Sequence, residues 1–213
     1  MRDPIIITGI PRSGTSMIAG IINICGAFMG NTNKMMENQE LKDRLLIPFM
    51  RSIGAEETGQ INHPDLSSLQ IPVGFRKHVL DIYKAQGWTE EQPLAIKSNL
   101  VALTWPIWQY AFPNAKFIIV RRRTGDIVNS CIKTGYMNKH DTKDGWVEMC
   151  RSYQNRFSQM IEEGMNCKVI WPHRMVFGDY SQIWDMLEWL GLEWNTKILN
   201  WVDPKFIKIR KTK

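Results

Sequence analysis

Short apolar runs alternate along the chain with longer segments whose apolar residues recur every three or four positions. The short runs are rich in isoleucine and valine, so they predict buried strands, whereas the longer segments predict amphipathic helices. Strands separated by helices pair in parallel, because the chain has to cross back between them. The pattern therefore predicts an α/β fold with a central, mainly parallel sheet flanked by helices. The predicted strands are IIIT (5–8), PLAIKS (93–98), AKFIIV (115–120) and CKVIWP (167–172).

Glycines and prolines divide the helical segments. Pro106 lies inside LVALTWPIWQYAF (100–112), so we expect that helix to kink or restart there. Thr124 is expected to cap the helix that begins with TGDIVNSCIKTGY (124–136). The segment between the second and third helices, residues 55–73, is predicted to be a loop. The other predicted helices span 14–26, 33–53, 74–86, 142–163 and 179–190, the last of which stops at Gly191.

Composition limits the number of domains and the class of protein. Of the 213 residues, 44% are hydrophobic, which suits one core, so we expect a single domain over 1–213. The net charge of +6 favours anionic partners. The four cysteines lack metal-site spacing, which favours buried free thiols. No apolar run suits a secretory signal or reaches the roughly 18 residues of a membrane span, so we expect a cytoplasmic protein.

The segment GIPRSGTS (9–16) follows the first predicted strand and opens the first predicted helix. Such a turn gathers backbone N–H groups and the positive end of a helix dipole around one anion, which suits a phosphate. The two glycines have the separation of a Walker loop, but Thr15 stands at the lysine position and Ser16 follows it. Arg12 supplies a cation earlier in the loop. The alternative is an ordinary strand-to-helix turn whose glycines only satisfy backbone angles.

The predicted strand ends carry positive charge. In magnesium-dependent phosphoryl transferases, an aspartate at a second strand end helps the loop hydroxyl to hold the metal. Here the third strand runs into Arg121, Arg122 and Arg123, and the second ends in Lys97. These side chains are suited to neutralise ligand anions directly. We therefore expect an anionic donor that is handled without a metal.

The loop PRSGTS (11–16) resembles the first motif, P-[RK]-[ST]-G-T-[ST], of sulfotransferases that use 3'-phosphoadenosine 5'-phosphosulfate (PAPS) and release 3',5'-adenosine bisphosphate (PAP). The resemblance implies a three-layer fold like that of P-loop NTPases, and it makes the missing Walker lysine expected. It also implies which residues bind the nucleotide's 5'-phosphosulfate: Arg12, Ser13, Gly14, Thr15 and Ser16.

The segment RRTGDIVNS is similar to the second motif of that family, a strand followed by R-x-P-x-D-x-x-x-S, with Thr124 in place of the proline. The resemblance implies that Arg122 and Ser130 bind the 3'-phosphate. The neighbouring Arg121 or Arg123 competes with Arg122 for that role.

Two further segments resemble the parts of the family that contain its catalytic residues. LAIKSNL looks like a family strand that ends in K-x-P or K-x-H, which implies that Lys97, together with Arg12, balances charge on the departing phosphate. Asn99 stands where cytosolic members carry a catalytic histidine, and an amide cannot take the acceptor's proton. MMENQELKDRLL resembles the G-x-x-E-[DN] helix start, which implies Glu37 as the general base, with Glu40 as the next candidate. A solvated helix face is the alternative for Glu37.

The C-terminal region also resembles the family. VFGDYSQIWDMLEWLGLEWN matches a family segment that ends in L-G-L, and the tail places Lys208, Arg210 and Lys211 where other members use a basic segment on the 3'-phosphate. A frayed cationic terminus is the alternative for the tail. Residues 50–90 match no family segment, and we expect them to shape the acceptor pocket.

The sequence thus leads to one main hypothesis, sulfuryl transfer from PAPS to a hydroxyl or amine of a small-molecule or carbohydrate acceptor. No specific nucleic acid partner is expected, and the sequence indicates neither the acceptor's identity nor the oligomeric state. Two other functions stay open. One is a Mg²⁺-dependent P-loop kinase of a small metabolite, with Ser16 on the metal; the other is a non-catalytic binder of nucleotides or polyanions.

Overall fold

Four parallel strands form the centre of the computed structural model, which describes residues 3–202. The strands are β1 (Ile5–Gly9), β2 (Ala95–Lys97), β3 (Lys116–Val120) and β4 (Cys167–Ile170). They are ordered β2-β1-β3-β4, so the first strand lies between the second and the third. Each strand overlaps a run that the apolar pattern predicts, and the predicted parallel sheet is confirmed.

Helices connect the strands and pack on both faces of the sheet. A π-helical segment, Lys42–Leu46, joins the second helix to the third. Within residues 3–202 the α-helices are α1 (Thr15–Ile24), α2 (Gln39–Leu41), α3 (Ile47–Ser52), α4 (Phe75–Ala85), α5 (Leu100–Leu103), α6 (Trp105–Ala111), α7 (Thr124–Ile132), α8 (Lys143–Glu162), α9 (His173–Val176), α10 (Ser181–Leu190) and α11 (Ile198–Trp201).

Each face of the sheet has its own apolar core, which gives three layers. Successive side chains of a strand point to opposite faces, and both faces of this sheet are covered. On one face Ile6 packs in a cluster with Trp108 of α6. On the other face Ile7 packs in a cluster with Ile18 of α1 and Met186 of α10. The predicted arrangement of helices on both sides of the sheet is therefore confirmed.

The helix predicted from residue 33 begins only at residue 39. The Asn33 side chain accepts hydrogen bonds from the backbone N–H groups of Met35 at 2.8 Å and Glu37 at 3.2 Å. Met36 has a positive φ of 58°, which a helix does not allow. Asn38 then caps α2 by accepting from the Leu41 N–H at 3.0 Å. Asparagine side chains compete here with helical hydrogen bonding, so the predicted helix start is wrong.

Two other predicted helix features were checked by the structure. Thr124 is not the cap of α7, because it is the first helical residue and its hydroxyl accepts a hydrogen bond from Gln154 at 3.1 Å. The helix ends at Ile132, so its prediction up to residue 136 is also wrong. The restart at Pro106 is confirmed, because α5 stops before it and the proline lies in the first turn of α6.

The structure bears on three of the remaining predictions. All four cysteines are free, but only Cys131 and Cys150 are fully buried, whereas Cys25 and Cys167 are partly exposed. Across residues 3–202, no helix has the length and apolar character needed to cross a membrane. The basic tail residues lie outside the described residues: Lys208, Arg210 and Lys211.

Candidate active site

A cavity of about 740 Å³ opens where the carboxyl ends of the four strands meet. Its wall is formed by residues 11–17 after β1, residues 97–100 at the end of β2 and just after it, Arg122 after β3, and Pro172 with His173 after β4. This edge of a parallel sheet is where open α/β folds bind their ligands. Loops and α11 complete the wall, and their lining residues are Asn33, Lys34, Met35, Met36, Glu37, Lys42, Glu57, Thr58, Gln60, Tyr136, Met137 and Trp201.

The loop after β1 is shaped by close backbone contacts. A Cβ atom on Gly9 would lie 2.6 Å from the carbonyl oxygen of Val120, so only glycine fits beside β3. Gly14 has a φ of 103° and immediately precedes α1. The next residues begin the helix, and their N–H groups have no intrahelical acceptor. The loop therefore presents a helix N-terminus to the cavity, as the sequence predicts.

Two buried polar groups beside this loop have no hydrogen-bond partner among the described residues. They are the Ser13 hydroxyl and the Nε atom of Arg122. Another nitrogen of Arg122 donates to the Arg12 carbonyl at 3.1 Å. Burial lowers the pKa of Arg122, the Asp126 carboxylate opposes that shift and the charge of Arg12 adds to it. An unpaired hydroxyl and an unpaired guanidinium N–H fit the oxygen atoms of an anion.

Arg12 reaches across the loop toward α7. Its φ is 73°, and its Nε atom donates to the Ser130 hydroxyl at 3.0 Å. A terminal nitrogen of Arg12 donates to the Tyr136 hydroxyl at 2.5 Å, and the guanidinium carbon lies 5.7 Å from the centre of that ring. The structure thus brings together Arg12, Arg122 and Ser130, although Ser130 contacts Arg12 rather than lining the cavity.

The three arginines that follow β3 differ in their surroundings. Arg122 lines the cavity, whereas Arg121 lies over the Trp171 ring at 5.5 Å and Arg123 is exposed. The Trp171 ring thus has a cation over it. Of the alternatives that the sequence leaves open, the geometry favours Arg122.

The hydroxyl groups at the start of α1 hold neighbouring segments in place. Thr15 donates to the Asn99 side-chain oxygen at 3.4 Å. Ser16 donates to the Met35 carbonyl at 2.8 Å, which fastens the 33–37 segment against α1. Both residues line the cavity.

The carboxylate of Glu37 lies on the cavity wall between two lysines, one of which is the last residue of β2. Lys97 donates to Glu37 at 2.8 Å, and Lys42 approaches the other carboxylate oxygen at 3.3 Å. The side chains of Lys97 and Glu37 are only 3% and 14% exposed. Burial raises the pKa of Glu37, but the charges and hydrogen bonds of Lys97 and Lys42 outweigh it, so the net shift is downward. Glu37 is therefore ionised at neutral pH.

Glu40, the other candidate base, faces away from this group. It accepts a hydrogen bond from Gln86 at 2.8 Å and pairs with Arg44 on the protein surface. It is absent from the cavity wall among the described residues. Of the two carboxylates, Glu37 is thus the one that faces the cavity beside a lysine.

Sequence reasoning missed several wall residues, among them His173 and two residues that make specific contacts, Gln60 and Tyr136. Tyr136 was assigned to a helix, and Gln60 lies in a loop with no recognisable motif. His173 has a buried Nδ1 atom without a partner among the described residues, and burial lowers its pKa. Only the glycine before Tyr136 offered a signal, because it marks a turn after α7.

Comparison with known proteins identifies relatives of this architecture. The family model described as a sulfotransferase domain matches residues 2–199. The sulfotransferase domain from the curacin biosynthetic pathway superposes with a TM-score of 0.64 at 14% identity, covering 98% of this chain and 81% of that one. The corresponding domain of the Synechococcus PCC 7002 olefin synthase gives 0.59 at 15% identity, with the same coverages. Sulfotransferase STF1 from Mycobacterium tuberculosis H37Rv gives 0.51 at 14% identity, covering 94% and 70%. No curated protein sequence matches the chain.

Proposed function

The chain belongs to the sulfotransferase domain family, and we propose that it moves a sulfuryl group from PAPS to a hydroxyl or amine of its acceptor by in-line, metal-independent transfer. The observation that carries the proposal is the division of one cavity between two charged groups. Arg12 and Arg122 lie on one side, and the pair of Lys97 and Glu37 lies on the other.

The first group suits a nucleotide with two phosphorylated positions. The 12–16 loop would hold the 5'-phosphosulfate, with Ser13 as a hydrogen-bond donor that has no partner among the described residues. Arg122 and Ser130 would hold the 3'-phosphate, because the Nε–H of Arg122 has no partner within residues 3–202 and Ser130 accepts a hydrogen bond from Arg12. Charge-assisted bonds of this kind are about twice as strong as neutral ones.

The second group suits the transfer itself. Bound PAPS supplies an activated sulfuryl group, whose bond to the 5'-phosphate breaks as the acceptor oxygen or nitrogen bonds to sulfur. Glu37 takes the acceptor's proton, and it is ionised because Lys97 and Lys42 donate to it. Lys97 lies beside that carboxylate and, with Arg12, balances the charge that grows on the departing phosphate. A proton thus moves from acceptor to Glu37, and PAP leaves with the bonding electrons.

Calorimetric titration with PAP in the presence of EDTA tests the donor assignment. We expect micromolar binding, and adenosine 5'-monophosphate, which lacks the 3'-phosphate, should bind more weakly. Arg122→Met should weaken PAP binding at least about tenfold and leave the monophosphate unchanged. Arg121→Met is the matched control, because Arg121 lies over Trp171. A wild-type protein that binds no PAP at high micromolar concentration contradicts the proposal.

A further inference from the structure

Two loops meet on the wall of the cavity, and Gln60 lies at their contact. We call residues 55–63 the Gln60 loop and residues 133–141 the Tyr136 loop. The Gln60 side chain, in a residue only 3% exposed, donates to the Tyr136 carbonyl at 3.1 Å and accepts from the Asn138 N–H at 3.1 Å. The Gln60 carbonyl accepts from Nε2 of His140 at 2.9 Å. The Gln60 side-chain oxygen also accepts from the Lys139 N–H at 3.4 Å, so one buried residue bonds to four of the five residues from Tyr136 to His140.

The Gln60 loop is itself held on α8. Tyr153 donates to the Gly59 carbonyl at 3.0 Å, and the His63 ring bonds to the Ser152 hydroxyl at 2.6 Å. Arg156 donates to the Pro64 carbonyl at 2.6 Å, just beyond the loop. These bonds reach α8, a 20-residue helix whose buried side chains belong to one apolar core, so the Gln60 loop offers a fixed base to the Tyr136 loop.

The Tyr136 loop in turn contacts Arg12, in the loop after β1. The Arg12 side chain is held from two directions, by Ser130 at 3.0 Å and by Tyr136 at 2.5 Å. Tyr136 is 52% exposed and its ring lines the cavity, so its hydroxyl does not serve the apolar core. Instead, the Tyr136 hydroxyl accepts a hydrogen bond from Arg12, in the loop after β1.

We propose that Tyr136 is a positioning residue for Arg12, and that Gln60 holds Tyr136 in the place where it can act. The Gln60 loop, which also places Glu57 and Thr58 on the cavity wall, thereby sets the position of Arg12 in the loop after β1. The kinetic consequence rests on the proposed function, in which Arg12 balances charge during transfer; the contact between Tyr136 and Arg12 does not.

A double-mutant cycle measures the coupling. Tyr136→Phe removes only the hydroxyl, and we expect turnover to fall about tenfold while KM for the acceptor stays within about twofold. In an Arg12→Ala background the same change should have no further effect, because the hydroxyl then has no guanidinium to hold. Tyr110→Phe is the control, because Tyr110 is 71% exposed on α6 and outside the cavity wall. Equal losses from Tyr136→Phe in both backgrounds overturn the proposal.

Spectra of protein labelled with ¹⁵N at the terminal arginine nitrogens test the contact without any sulfotransfer assay, because a terminal nitrogen of Arg12 donates to the Tyr136 hydroxyl. The terminal N–H signals of Arg12, assigned by their loss in Arg12→Ala, should exchange with water several-fold faster in Tyr136→Phe and at the wild-type rate in Tyr110→Phe. Unchanged exchange in Tyr136→Phe refutes the positioning role even in an active enzyme. A protein that binds no PAP but shows faster exchange refutes the proposed function and leaves this inference standing.

Gln60 is tested with the same signal. Gln60→Glu keeps the side-chain oxygen that accepts from the Tyr136 loop, but it replaces the donor to the Tyr136 carbonyl by an acceptor oxygen and adds a buried negative charge. We expect it to speed Arg12 exchange as Tyr136→Phe does. Gln60→Met, which brings no buried charge, repeats the test if the first variant melts early. Wild-type exchange in a folded Gln60 variant excludes Gln60 from the arrangement.

Discussion

Glu37→Gln tests whether Glu37 takes part in the reaction, because it removes a proton acceptor and changes the shape of the cavity little. Glutamine keeps the shape of the side chain and one acceptor oxygen, but it loses the charge and the ability to take a proton. We expect turnover to fall by about 10²–10⁴. PAP affinity should stay within about twofold of wild type, because Glu37 contacts Lys97 and Lys42 rather than the arginines of the opposite side.

The same substitution weakens the fold by an amount that follows from burial. Lys97 is only 3% exposed, and breaking a buried ion pair outright costs about 3–5 kcal/mol. The glutamine oxygen still accepts one hydrogen bond from Lys97, so we expect a smaller loss of about 2 kcal/mol in the free energy of unfolding. For a chain of this length that corresponds to a melting temperature lower by roughly 4–8 °C.

The dependence of this difference on pH gives a second measurement. Lys97 and Lys42 hold the pKa of Glu37 below the ordinary value of 4.5, against the opposing effect of burial. A carboxyl group with a lowered pKa stabilises the fold above the unfolded value and loses that contribution as the pH falls through the folded value. The gap in melting temperature between wild type and Glu37→Gln should therefore close as the pH falls below 4.5.

The assay combines initial rates, PAP titration and thermal melting. Rates are measured with radiolabelled PAPS and the first acceptor found in a panel of phenols, alcohols, amines and sugars. Glu40→Gln is the matched control, because Glu40 pairs with Arg44 and Gln86 away from the cavity wall. A Glu37→Gln protein with wild-type turnover removes Glu37 from the mechanism, and one with a wild-type melting temperature refutes the energy assigned to the ion pair.

Two further substitutions test the charge and the shape of the site. Lys97→Met should lower turnover about 100-fold with little effect on PAP affinity, because the lysine charge is needed at the departing oxygen. Steady-state rates check this, with Lys77→Met on the exposed face of α4 as the control. Equal turnover in Lys97→Met and wild type would contradict it. Gly9→Ala should lower the free energy of unfolding by about 2 kcal/mol, because its Cβ would lie 2.6 Å from the Val120 carbonyl. Denaturant unfolding measures this, and Gly125→Ala on α7, which meets open space, should be neutral; similar values for both would show that the contact is unimportant.

The sequence predicts those parts of the site in which charged or polar residues directly follow a predicted strand. The loop after β1 and the arginines after β3 were predicted because glycine, serine and arginine follow apolar runs directly, and strand ends in a parallel sheet share one edge. The four strands could be predicted for the same reason, since their apolar runs are short and bounded. Local pattern and tertiary position agree in these segments.

Other parts depend on contacts that no local pattern records. The start of the second helix was misplaced because Met35 and Met36 imitate helical spacing, whereas the hydrogen bonds of Asn33 and Asn38 decide the conformation. Gln60 and Tyr136 were missed because they meet across 76 residues of chain, through loops without periodicity. A contact between side chains of two loops can be recognised only from a structure that contains both loops.

The position of β1 in the sheet has a consequence for synthesis of the protein. Of these four strands, β1 is translated before the others and lies in the interior of the sheet, and its partner β2 begins about 85 residues after β1 ends. At roughly 5–20 residues per second, β1 waits on the order of 5–15 s for that partner, and longer for β3. All five of its residues are buried in the finished sheet, so an apolar segment has to be shielded during that interval. The strand ends that form the wall of the cavity are synthesised one after another, and the loop after β4 is the last of them to emerge.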